Sequence, residues 1–146
     1  MAEGILRHLL KEKNLHQVVT VHSAGTERYH VGHPADARAT RTTKKYGVDI
    51  STHKARQVAA KDFHEYDRIY SMAVDVHEEL MGIAPAELKH KAMLFMDVIA
   101  PGPNQSVPDP WYGNESGFVK VYELIKEGCH RIVDEIEKEL QQSPSR

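Results

Sequence analysis

The stretch Asp109-Pro110-Trp111-Tyr112-Gly113-Asn114 is the part of this sequence best suited to chemistry. Two prolines, Pro108 and Pro110, bracket one carboxylate. Proline fixes its own φ and biases the residue before it towards extended geometry, so Asp109 is held on a stiff loop. A rigid carboxylate beside two large aromatic side chains can hold a proton donor over an aromatic substrate. The same residues also suit a turn in which Asp109 caps the helix that follows.

Two other sets of residues invite a chemical reading. Cys129 is the only thiol. It lies four residues after Ile125 and four before Val133, on an apolar helical stripe. It reads as a small core residue. Among the ten histidines, His30 and His33 are three apart, and His77-Glu78-Glu79-Leu80 opens like a zinc-protease motif. Met81 stands where the second histidine of that motif belongs, so the sequence calls for no metal and no cofactor.

Hydrophobic periodicity gives the elements that must position these residues. Ile5, Leu6, Leu9 and Leu10 recur at helical spacing and predict a helix over 2–13. Val18-Val19-Thr20-Val21 is a β-branched run that predicts a strand ending at Ser23-Ala24-Gly25-Thr26. A polar helix is expected over 35–46, closed by Gly47. Strands are expected over 67–72 and 91–96, with a helix over 74–81 between them. The segment 97–116 is rich in Pro, Gly and Asn and reads as a long loop, and such loops are often functional. Phe118, Val121, Tyr122, Ile125, Cys129, Ile132, Val133, Ile136 and Leu140 trace one face of a long last helix.

Strands alternating with helices imply an α/β fold with a parallel sheet covered on both faces. The 146 residues suit a single domain, 1–146, with 141–146 as a frayed tail. A net charge of −2, with no basic cluster, gives no sign of a nucleic-acid partner. No apolar run approaches the roughly 18 residues of a membrane span. One cysteine excludes an internal disulfide and fits a reducing, cytoplasmic location. One oddity stands out. The chain enters a helix at once, whereas a strand and a functional loop normally lead into the first helix of such a fold.

At this point the pattern resembles the low molecular weight protein-tyrosine phosphatases, from Met1 to about Leu140. Ser23-Ala24-Gly25-Thr26 is similar to the end of that family's second strand. Gly32, Pro34, Asp36 and Arg38 match its spaced Gly, Pro, Asp and Arg. Residues 47–56 (GVDISTHKAR) and then Asp67, Ile69 and Met72 follow in order, and Asp109 to Asn114 match the general-acid loop. The defining Cys-x5-Arg-Ser/Thr motif is absent, because no cysteine precedes position 129. The chain looks like a member without its first strand and phosphate loop.

The resemblance implies a three-layer α/β/α parallel sheet lacking its first, central strand. It implies hydrolysis of phosphotyrosine through a phosphocysteine, with Asp109 as general acid. Tyr29, Trp111 and Tyr112 become the aromatic rim that selects phosphotyrosine proteins, and Ser23 and His53 support the catalytic loop. Ala73 stands where many members carry an Asp that pairs with the catalytic Arg. Either Asp75 substitutes or that ion pair is missing. This 146-residue form is expected to be inactive. The alternative is a non-catalytic pseudophosphatase or interaction module. An arsenate reductase of similar fold is disfavoured, because that chemistry needs several cysteines. Without a central strand, either the remaining elements repack or a second copy pairs with the bare edges, so a homo-oligomer is expected.

Overall fold

The computed structural model describes residues 1–26, 31–100, 102, 105–108 and 115–142, the side chain of residue 115 excepted. Tyr29, Asp109, Trp111 and Tyr112 lie outside the described residues, as does the tail from 143. The chain divides into two compact units. One combines 1–22, 36–52 and the C-terminal helix; the other combines 23–35 and 53–108.

The first unit is helical. α1 (Ala2–Glu12) buries Ile5, Leu9 and Leu10, the residues whose spacing predicted it. It ends on Asn14 at φ 57°. The Asn14 N–H donates to the Lys11 carbonyl at 3.1 Å and the Leu15 N–H to the Leu10 carbonyl at 2.8 Å, the paired bonds of a left-handed helix stop. α2 (Ala37–Lys45) begins with Asp36, whose carboxylate accepts the Arg38 N–H at 2.7 Å. It ends on Gly47 at φ 84°, with the Val48 N–H donating to the Thr43 carbonyl at 3.0 Å. A glycine suits that left-handed position, as the sequence predicted.

α6 (Glu115–Gln141) packs against both α1 and α2. Phe118, Val121, Tyr122, Ile125, Cys129, Ile132 and Val133 are buried, so the predicted stripe is the core of this unit. Tyr122 stacks on Tyr46 at 4.1 Å between ring centroids, and the Arg38 guanidinium sits 4.7 Å from the centroid of Phe118. Leu140 at the end of the stripe is exposed, where the helix outruns its partners.

The predicted strand over 18–21 does not form. The Val18 and Val19 N–H groups both donate to the Leu15 carbonyl, which draws them into the turn after α1, and Val18 is exposed. Residues 19–24 join no ladder among the described residues. β-Branched side chains favour a pleated surface, but a strand exists only where another supplies hydrogen bonds.

The second unit holds a parallel pair, β1 (Ile69–Ser71) and β2 (Ala92–Leu94), in register Ile69 with Ala92 and Ser71 with Leu94. Between them run α4 (Val74–Ile83) and a 3₁₀ segment, Ala86–Lys91. A short helix, α3 (Asp62–Glu65), precedes β1. The loop expected from residue 97 starts later, because α5 (Met96–Ile99) occupies its beginning. Phe95, almost fully buried and edge-on to Tyr70 at 6.5 Å, anchors that turn. Its own N–H donates to the Ser71 carbonyl at 2.8 Å, and its carbonyl accepts the Val98 N–H at 3.0 Å.

Candidate active site

In open α/β sheets, ligands bind beyond the carboxyl ends of the parallel strands. β1 ends at Ser71, where several hydrogen bonds gather. The Ser71 hydroxyl, buried, lies 3.2 Å from Nδ1 of His77 on α4. The Met72 carbonyl accepts the Val107 N–H at 2.7 Å. Ser106 Oγ accepts the Val74 N–H, at the start of α4, at 2.9 Å. The segment leading into Asp109 is therefore bonded to the end of β1 and the start of α4. Sequence reasoning missed the Ser71–His77 pair. Its only signal was a serine at a strand end followed by a histidine one helical turn into the next element.

Ala73 caps α4 without a side-chain oxygen. Asp75, the offered substitute for the family aspartate, is exposed in the first turn of α4 and accepts the Val76 N–H at 2.9 Å. A carboxylate at a helix N-terminus is favoured by the helix dipole, which is sufficient reason for its presence there.

Ser23 and His53 belong to one local assembly. Residues 53–58 form a hub clasped on both sides. On one side the Gly32 N–H donates to the Ala55 carbonyl at 2.7 Å, the Ala55 N–H to the His33 carbonyl at 2.9 Å, and Pro34 bridges to Lys54. On the other the Gly25 N–H donates to the Arg56 carbonyl and the Val58 N–H to the Gly25 carbonyl, both at 2.8 Å. Gly32 has φ 83°, the reason for a glycine at that point of the clasp. Ser23 and His53 are half-buried, and neither is without a partner.

Arg56 has a second task on the hub. Its guanidinium donates to both oxygens of Asp62, at 3.2 and 3.3 Å, and Asp62 also accepts the Ala59 N–H at 2.9 Å. Burial pushes the Asp62 carboxyl up, but the Ala59 N–H and the Arg56 charge outweigh it and hold the group below the usual carboxylate range. Asp36 is likewise held low, first by its hydrogen bonds from the Arg38 side chain. The Asp and Arg of that matched motif thus brace the start of α2 in the helical unit. Cys129 is the opposite case. It is almost fully buried, and burial pushes its thiol up to about 12. A nucleophilic thiol requires the reverse.

Comparison with known proteins settles the lineage. The profile of the family described as low molecular weight phosphotyrosine protein phosphatase matches residues 1–142. The chain belongs to this family. It is 31% identical over 142 residues to the low molecular weight protein-tyrosine-phosphatase YfkJ of Bacillus subtilis, covering 97% of this chain and 89% of that protein. The Saccharomyces cerevisiae low molecular weight phosphotyrosine protein phosphatase is 38% identical over 121 residues, 81% of this chain and 74% of the yeast protein.

Solved structures agree. The protein tyrosine phosphatase of Entamoeba histolytica with Hepes in its active site superposes with a TM-score of 0.87 at 30% identity, over 94% of this chain and 87% of that one. Vibrio vulnificus Wzb in complex with benzylphosphonate gives 0.79 at 32% identity, over 92% and 87%. The α/β fold is thus the phosphatase fold. Likeness of this degree also corrects one expectation: the helices and strands have not repacked into a different arrangement.

Proposed function

We propose that this 146-residue chain is the acid-bearing part of a low molecular weight protein-tyrosine phosphatase and is catalytically silent by itself. One observation carries the reading: its sole thiol is Cys129, buried in the α6 core with its pKa pushed to about 12. In the complete reaction a low-pKa cysteine attacks phosphorus, the P–O bond to tyrosine breaks, and a phosphocysteine forms. Asp109 gives its proton to the departing tyrosine oxygen, then takes one from the water that hydrolyses the intermediate. Within these residues Tyr29, Trp111 and Tyr112 form the rim for the phosphotyrosine of a protein substrate. His53 opens the 53–58 hub, Ser23 lies two residues before Gly25, which bonds to it, and in this reading both buttress the phosphate loop. The Vibrio vulnificus relative's complex with benzylphosphonate supports a benzyl-type group carrying a phosphorus anion as ligand.

The reaction takes no cofactor. The chain acts as a single cytoplasmic domain, and no helix among the described residues is long and apolar enough to cross a membrane. In this reading copies associate through open strand edges. Light scattering at micromolar concentration should show a concentration-dependent oligomer, and a monomer throughout that range contradicts the association.

The second reading, a non-catalytic interaction module, keeps the rim and drops the reaction. Attaching a strand and a Cys-x5-Arg-Ser loop ahead of Met1 separates the two. Hydrolysis of aryl phosphates should appear, and Asp109→Asn should then slow it about 10²- to 10⁴-fold for poor leaving groups. No gain of activity supports the module. Equal rates with Asp and Asn at 109 remove Asp109 from the mechanism.

A further inference from the structure

We propose that Ser106 is a positioning residue that ties the acid segment to the first turn of α4. The sequence explains why such a residue is needed. The first N–H groups of a helix have no partner within it and are usually capped by a Ser, Thr, Asp or Asn immediately before. Here that residue is Ala73, which has no side-chain acceptor. Ser106, 32 residues away, supplies the oxygen, 2.9 Å from the Val74 nitrogen.

The next residue completes a clamp. The Val107 N–H donates to the Met72 carbonyl at 2.7 Å. Two consecutive residues of the acid segment thus bond to two residues flanking Ala73, one through a side chain and one through the backbone. Pro108 follows, and after it Asp109. Proline fixes its own φ, so the backbone directly after the clamp is restricted. A helix cap supplied from within its own element would leave the acid segment held by one bond. Capping from Ser106 makes the order of α4 and the placement of the acid segment a single property.

The inference rests on reading Asp109 as the general acid, but its test involves no catalysis, so failure of the clamp and failure of the acid assignment are distinguishable. The experiment is amide hydrogen exchange at Val107 in the full chain, with melting temperature followed in parallel. In Ser106→Ala the Val107 amide should exchange about 5- to 10-fold faster, and melting should fall by roughly 2–5 °C, as for loss of a helix cap. Ser106→Thr keeps the acceptor oxygen and should leave Val107 within about twofold of the parent rate. The double variant Ala73→Ser/Ser106→Ala gives α4 an N-cap of its own, whose oxygen accepts from the Asp75 or Val76 N–H rather than from Val74. If Ser106 positions the acid segment, Val107 stays fast in this variant although the helix is capped again. If Ser106 is only a helix cap, Val107 returns to the parent rate, and the proposal is overturned. An unchanged Val107 rate in Ser106→Ala, or a fast one in Ser106→Thr, overturns it equally.

Discussion

Replacing Cys129 by alanine should make the protein less sensitive to alkali, and the size of that change follows from the burial of one thiol. An ordinary cysteine ionises near 8.5. Burial in α6 pushes the Cys129 thiol to about 12. The sign follows from the two states: above about pH 9 the unfolded chain loses the thiol proton while the folded chain keeps it. The stabilisation is therefore complete below that pH and declines as pH rises towards 12, by about 1.4 kcal/mol per unit. Between pH 9 and 10.5 the loss is roughly 2 kcal/mol, a large part of a domain stability of about 5–15 kcal/mol. The assay is urea unfolding of the parent and Cys129→Ala at both pH values. Lysines and tyrosines titrate in both proteins, so the difference between the two pH slopes isolates Cys129. Thiol labelling at pH 8 supplies a kinetic check, since the buried thiol should react only through unfolding. An identical alkaline loss in both proteins, or labelling of the folded chain at the rate of a free thiol, would refute the core assignment of Cys129.

Two further perturbations probe the scaffold. Gly4→Ala should destabilise by about 1–3 kcal/mol despite alanine's higher helix propensity, because the added methyl would meet Ile50 Cγ2 at 2.5 Å. Ile50→Ala removes the obstructing atom, so a double-mutant cycle should return a coupling of about 1 kcal/mol or more, and strict additivity would contradict the contact. Asp62→Asn should cost roughly 1–3 kcal/mol at neutral pH by weakening the bonds from Ala59 and Arg56. The native pKa of Asp62 is depressed, so its contribution is present above about pH 4 and is lost as pH falls through the native value. Equal acid sensitivity of parent and variant in urea titrations would remove Asp62 from that account.

Elements whose cause is local could be read from the sequence. The stripe from Phe118 to Val133 predicted α6 because burial follows 3.6-residue spacing, and Gly47 announced the end of α2. Asn14 stops α1 by the same left-handed device, but asparagine signals it less plainly. Interactions at long range could not be read. Val18 to Val21 have strand propensity and no ladder among the described residues, since pairing depends on another segment. The cap on α4 comes from Ser106, and no local rule links it to Val74. Of the proposed site, Ser23 and His53 were found by likeness to a family, and the structure adds the hub that holds both segments. Asp109 was singled out from the sequence for a local reason, its two flanking prolines, and it lies outside the described residues.

The most direct test of the central claim is the turnover of p-nitrophenyl phosphate by the pure 146-residue protein, side by side with its Cys129→Ser variant. The account predicts background hydrolysis from both, with no difference between them, because Cys129 is buried and protonated and no Cys-x5-Arg motif occurs in these 146 residues. Robust turnover by the parent that disappears in Cys129→Ser would contradict it, and would make the one thiol in the α6 core the nucleophile after all.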